Sequence, residues 1–367
     1  MIKQQEYFGY GSIKNLKEIL DKEKPKNILL VTGKKSFELC GAKQILEKML
    51  QEYHVYAFNN FKSNPDIEDV KKAYIFFNGK QIDIIIAVGG GSSIDVAKAI
   101  KLFHFNETSF KVPLVAIPTT AGSGSEATHF IVYYIGKEKQ SEGKLDITLP
   151  DYVILDPTFI LNLPKSIAAS TGLDALSQAI ESYWSIYSTQ ESKDYAKKAI
   201  ILLIENLENS INNPDKNNKE KIFLAANLAG KAINISKTTV CHAIAYPITS
   251  YFSIPHGHAA ALTLGEMLIY NFDITEKDCN DNRGVEYVKK GINEIISLIG
   301  ENDAYKAKNK IQNLMQNIGL EIRLSQLGLK ETDINIIIQK GFNPDRVKNN
   351  PRLLTKENLK LILKNIM

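Results

Sequence analysis

The chain has 367 residues, more than one compact core usually holds, so two domains are expected. Apolar residues make up 44% and charged residues 23%, an ordinary globular composition that argues against a disordered chain. Forty-five Lys and Arg against 41 Asp and Glu give a net charge of +4, too weak to point to nucleic acid.

Cys40, Cys241 and Cys279 are far apart and form no CxxC pair, so neither a disulfide framework nor a zinc ribbon is expected, and a reducing cytoplasm is the simplest setting. The opening MIKQQEYFGYG lacks the apolar stretch of a secretory signal. No apolar run approaches a membrane span, so no membrane partner is expected.

Strand-like and helix-like segments alternate over the first 160 residues. NILLVT (27–32) reads as a strand, 42–52 as a helix, 54–58 as a strand and 66–78 as a helix. IDIIIAV (82–88) is the strongest strand pattern and runs into glycines and a helix; 112–117 and 152–156 are further strands. Continuous apolar strands between helices predict a parallel sheet covered on both faces. Beyond Pro164 the spacing turns helical over 167–187, 193–211, 219–235, 240–251, 285–299 and 304–318. Residues 212–218 (NNPDKNN) read as a polar loop, and Thr355 as the N-cap of a last helix. The expected organisation is an α/β domain over 1–162 and an all-α domain over 163–367.

Gly89-Gly90-Gly91-Ser92-Ser93 follows the strongest strand and opens a helix carrying Asp95 and Lys98. Glycines let backbone approach a pyrophosphate, and the helix N-terminus offers N–H groups and positive dipole. A sharp strand-to-helix turn would also use glycine, and this is neither a GxGxxG fingerprint nor a Walker A loop. A second loop of small and hydroxyl residues, PTTAGSGSE (118–126), follows the next strand. Two such loops at strand ends place a nucleotide at the switch point of an open sheet.

GGGSSIDVAK (89–98) and PTTAGSGSE (118–126) resemble the cofactor motifs of the iron-dependent, group III alcohol dehydrogenases. The resemblance extends to SNPDIEDV (63–70), ILDP (154–157), GLDALSQAIE (172–181), CHAIAYP (241–247), IPHGHA (254–259) and NNPRLLT (349–355). It implies a Rossmann-like dinucleotide-binding domain and an all-helical metal-binding domain with the active site between them, and commonly a homo-oligomer. Cofactor contacts are expected from Asn64, Gly90, Gly91, Ser92, Asp95, Thr119, Thr120 and Ser123. In such enzymes the residue after the first strand sets NAD against NADP. Here Gly33 leaves room and Lys34–Lys35 bring positive charge, which favours NADPH over NADH, unless the lysines are only a solvated pair.

The resemblance also implies a metal held by Asp174, Gln178, His242 and His256. Asp174 and Gln178 stand at i and i+4 on one helix face, and His256 lies in a Pro-His-Gly turn. Relatives usually have His where this chain has Gln178. An amide oxygen is a harder, weaker donor than imidazole, so Fe²⁺ is expected, with Zn²⁺ or Mn²⁺ also accommodated. His258, two residues on, falls on the wrong side of a helix to contribute. Tyr246, four residues after His242, is a candidate for hydrogen bonding or proton relay, or simply packs between helices. Trp184 reads as core, and His54, His104 and His129 as structural.

These parts imply an NAD(P)H-linked, metal-dependent reductase of aldehydes. Lys237 and Thr239, ahead of His242, stand where simple alcohol dehydrogenases tend to have glycine. With Gln178, SYWS (182–185) and PHGHAAALTLG (255–265), this stretch resembles phosphonoacetaldehyde reductases, which form 2-hydroxyethylphosphonate. Lys237 is then a candidate phosphonate contact, with Arg346 or Arg352, or else a surface lysine at a helix end. The alternatives are a reductase of small uncharged aldehydes of the butanol or lactaldehyde type, a dehydroquinate synthase-like lyase, and a metal-free nucleotide-binding relative.

Overall fold

A computed structural model describes residues 4–342 and 347–367, which divide into two units at Leu163 and Pro164. The first unit carries strands β1 (Gln5–Phe8), β2 (Asn27–Thr32), β3 (His54–Phe58), β4 (Ile84–Gly89), β5 (Leu114–Pro118), β6 (Ile131–Ile135), β7 (Glu138–Glu142) and β8 (Tyr152–Leu155). Its helices are α1 (Leu16–Glu23), α2 (Ser36–Leu39), α3 (Ala42–Met49), α4 (Ile67–Phe77), α5 (Gly91–Thr108) and α6 (Leu145–Thr148).

Six strands pair in parallel in the order β1-β8-β5-β4-β2-β3. Alternate residues serve opposite faces. Ile28, Leu30, Ile84, Ile86, Val115 and Ile117 pack with Leu16, Ile19 and Leu46 of α1 and α3. Leu29, Val31, Ile85 and Ala87 are equally buried on the other face, which explains why these strands read as unbroken apolar runs. β3 and β4 flank β2 on opposite sides, so the chain reverses its direction of travel across the sheet between β2 and β4. That is where open α/β sheets open a crevice at their strand ends.

Two features escape the sequence patterning. β1 is a half-polar edge strand, and β6–β7 is an antiparallel hairpin whose second strand, EKQSE, has no apolar face to announce it.

The described residues of the second unit form helices α7 (Lys165–Trp184), α8 (Gln190–Asn212), α9 (Lys216–Ser236), α10 (Val240–Phe252), α11 (His256–Phe272), α12 (Val285–Ile299), α13 (Ala304–Asn317), α14 (Ile334–Gly341) and α15 (Lys356–Asn365). The expected loop over 212–218 shrinks to three residues because Asp215 accepts the Asn218 N–H and starts α9. Thr355 caps α15 through the Asn358 N–H. α11 gives no periodic signal because it is apolar nearly all round and buried among other helices. Among the described residues, no helix is long and apolar enough to cross a membrane.

Candidate functional site

In the first unit, the predicted nucleotide loops gather at the C-terminal ends of β2, β4 and β5. A Cβ on Gly90 would stand 3.2 Å from Thr120 Oγ1, and one on Gly91 would stand 2.8 Å from Ser123 Oγ. The two loops therefore touch, and the glycines are what allow it. Gly89 has φ 153° and leaves no room for a Cβ beside Ser93. Asn64, in the left-handed region at φ 56°, donates its N–H to Ser92 Oγ at 3.1 Å. No side chain caps the N-terminus of the 18-residue α5. The Thr119 hydroxyl is buried with no hydrogen-bond partner among the described residues. A bare helix start, glycine backbone and an unsatisfied hydroxyl suit a dinucleotide phosphate. Gly33 lies at the end of β2, within reach of Ser36 and Ser93, and Lys34 and Lys35 are exposed beside it.

Asp95, expected among the cofactor contacts, faces the second loop and β6. It accepts from Ser125 Oγ at 2.6 Å and from the Val132 N–H at 3.2 Å. Lys98, fully buried, donates to Ser125 Oγ at 2.9 Å, Phe130 O at 3.0 Å and Thr128 Oγ1 at 3.3 Å. Burial pulls the Lys98 ammonium down to about 8 against the pull of Asp95 and Glu126. The pair clamps the second loop to α5.

In the second unit, ligand atoms of Asp174, His242 and His256 lie within 4.8 Å of one another. Asp174 comes from the middle of α7, His242 from the first turn of α10, and His256 is the first residue of α11. His256 thus opens a helix; it does not sit in a free turn. The imidazoles meet edge to face at 5.5 Å, and His242 Nε2 is 3.4 Å from Asp174 Oδ1. Gly257 is what lets α11 approach. A Cβ there would meet Ser170 O at 2.0 Å and the Asp174 backbone N at 2.8 Å.

Gln178, one turn beyond Asp174, donates its amide N–H to Asp174 Oδ2 at 3.3 Å. Each of these residues has contacts of its own. Asp174 Oδ1, Gln178 Oε1, His242 Nε2 and His256 Nδ1 are all buried atoms. A buried carboxylate oxygen, an amide oxygen and two imidazole nitrogens are a donor set that fits Fe²⁺, Mn²⁺ or Zn²⁺.

Around this set, Tyr246 stacks on His256 with ring centroids 5.3 Å apart and planes 4° from parallel, which brings it to the site. Burial opposes the charge on His242, but Glu181 and Asp174 outweigh it and hold the imidazole proton up to about 9. Glu181, wholly buried behind His242, carries no functional expectation from the sequence; its i+7 spacing from Asp174 on one helix face was the available signal. His258 points away and bonds Glu321 O at 2.7 Å. Trp184 is core, its indole N–H donating to Thr239 Oγ1 at 2.9 Å.

Lys237 is exposed at the end of α9, with φ 61° and ψ 172°, and its ammonium lies 5.8 Å from the Tyr187 ring centroid. Arg352 is engaged elsewhere. It bonds Asp278 Oδ2 and Tyr270 O, each at 2.6 Å, and lies over the Tyr270 ring. Arg346 falls outside the described residues.

Two family models match the chain. "Iron-containing alcohol dehydrogenase" covers residues 4–157, and "Fe-containing alcohol dehydrogenase family, C-terminal" covers residues 168–367. Phosphonoacetaldehyde reductase of Streptomyces viridochromogenes is 31% identical over 305 residues, spanning 77% of this chain and 75% of that protein. Long-chain-alcohol dehydrogenase 1 of Geobacillus thermodenitrificans is 27% identical across 93% of this chain and 89% of its own length. The crystal structure of sulfoacetaldehyde reductase from Bifidobacterium kashiwanohense with NAD⁺ superposes with a TM-score of 0.86 at 28% identity, covering 100% of this chain and 97% of that one.

Proposed function

The chain belongs to the iron-containing alcohol dehydrogenase family and is a metal-dependent oxidoreductase, and we propose that it reduces a short aldehyde bearing an anionic group, with phosphonoacetaldehyde as the substrate and 2-hydroxyethylphosphonate as the product. The observation that carries the reading is the convergence of Asp174, His242 and His256 in a buried cluster.

Asp174, Gln178, His242 and His256 would hold the metal, and the glycine and threonine loops of the first unit would hold the nucleotide. Bound there, a divalent ion supplies Lewis-acid stabilisation of the charge developing on the carbonyl oxygen, and a reduced nicotinamide supplies the hydride. Gln178 orients Asp174 through its amide N–H, and its oxygen would complete the donor set. Tyr246, fixed against His256, is the side chain assigned to proton delivery to the product alcohol.

Lys237 supports the anionic group. Its φ and ψ lie in a region that side chains other than glycine rarely adopt, at a cost of roughly 1–3 kcal/mol. The turn is pinned on both sides: Ser236 O accepts from Ser185 Oγ at 2.7 Å, and Thr238 O accepts from Asn349 Nδ2 at 3.0 Å. A strained turn that presents an ammonium five residues before a metal ligand fits recognition of a phosphonate or sulfonate. The two relatives whose names carry a phosphono or sulfo aldehyde point the same way.

Lys34 and Lys35 favour NADPH, because no acidic side chain stands at the end of β2 to repel a 2′-phosphate. Iron is the metal assigned. Steady-state rates with phosphonoacetaldehyde and with propanal test the substrate. The reading expects kcat/KM to favour the phosphonate at least tenfold, and equal efficiencies contradict it.

A further inference from the structure

Glu181 is the most heavily hydrogen-bonded buried acid near the metal cluster. It is fully buried on α7, two turns from Asp174. Its Oε1 accepts from the Thr239 hydroxyl at 2.7 Å and from the backbone N–H groups of Cys241 at 2.8 Å, Thr239 at 3.1 Å and His242 at 3.4 Å. That oxygen satisfies the first N–H groups of α10, which no side chain of its own N-cap does. Oε2 faces His242 Nδ1 in a close hydrogen bond. Trp184 donates to the same Thr239 hydroxyl, so the carboxylate cannot swing without breaking a buried network.

We propose that Glu181 is a positioning residue that keeps a proton on His242 Nδ1 and so presents the Nε2 lone pair to the metal. The inference rests on the metal-site reading above. A carboxylate can only accept, so the ring nitrogen facing it is the one that carries hydrogen. The other nitrogen, Nε2, is the buried atom that faces Asp174 Oδ1. The same carboxylate also fixes where α10 begins, and therefore where His242 stands. One acid sets both the position and the donor atom of a ligand, as carboxylates that accept from the far nitrogen of metal-bound histidines do.

Glu181→Gln separates the two roles. Four donors hold the amide oxygen at the Oε1 position, so the amide NH₂ must turn toward Nδ1. Nδ1 then has to accept, and the proton moves to Nε2, the wrong atom. The backbone contacts to α10 survive, so E181Q should retain the thermal midpoint of the metal-free wild type within a few degrees. Its affinity for Co²⁺ or Zn²⁺ in chelator competition should fall about 10- to 100-fold.

A second readout does not depend on that variant folding. In zinc-loaded wild type labelled with ¹⁵N-histidine, the metal-shifted nitrogen of His242 should be Nε2, and the nitrogen carrying a slowly exchanging proton should be Nδ1. Metal bound through Nδ1, or equal affinity in E181Q and wild type, overturns the inference while leaving the metal site standing. A wild type that takes up neither Co²⁺ nor Zn²⁺ overturns the metal-site reading and this inference with it.

Discussion

Gly257 packs against Asp174 so closely that a Cβ at residue 257 would stand 2.6 Å from Asp174 Cβ. One hydrogen atom in place of a methyl group is what brings the start of α11 down onto the middle of α7, and His256 with it. The Pro-His-Gly sequence therefore works as a unit: the histidine supplies the donor, and the glycine next to it supplies the approach.

Gly257→Ala should therefore act through the metal. The neighbouring atoms are backbone of α7, which cannot yield as a flexible side chain would, so α11 must shift. A displacement of about 1 Å is enough to lower kcat/KM by roughly 10²-fold. Metal retained after dialysis should fall in parallel. A variant that keeps a full metal complement and wild-type rates contradicts the packing argument.

Lys237→Gly makes two opposite predictions. Glycine tolerates φ 61° and ψ 172°, so the variant should be more stable than wild type by about 1 kcal/mol, visible as a higher denaturation midpoint. Its KM for phosphonoacetaldehyde should rise at least tenfold while that for propanal stays within twofold. Parallel changes for both aldehydes would assign Lys237 to structure alone.

Lys98→Met tests the loop clamp of the first unit. Removing the ammonium leaves Asp95 as a buried charge facing Ser125, which costs about 3–5 kcal/mol. The expected result is a thermal midpoint lower by roughly 10 °C, together with weaker NAD(P)H binding by fluorescence titration. Unchanged nucleotide affinity would mean that the second loop does not shape the cofactor site.

Lys34→Ala combined with Lys35→Ala should raise KM for NADPH about tenfold and leave KM for NADH within twofold, because two exposed charges contribute modestly each. Equal effects on both nucleotides would remove the case for a 2′-phosphate contact.

The fold was legible wherever burial imposed a period. β2, β4 and β5 are buried on both faces and appear as apolar runs; α8, α9 and α12 are half-exposed and carry helical spacing. α11 was not legible because an all-apolar helix has no period, and β7 was not because its side chains contact water on both faces. At the site, donor types and motif context brought Asp174, His242 and His256 into view. Glu181 stayed hidden because its work depends on which N–H groups the fold places beneath it, and the Asp95 clamp on the second loop stayed hidden because a polar residue next to a glycine loop can face either the ligand or the core.

The central claim is that one divalent ion binds at Asp174, Gln178, His242 and His256. Anomalous diffraction at the iron edge from crystals grown with Fe²⁺ tests it directly. The account predicts a single strong peak in each chain, with Asp174 and both imidazoles within coordinating distance. No peak among these residues, or a peak elsewhere in the chain with these side chains uncoordinated, would contradict it.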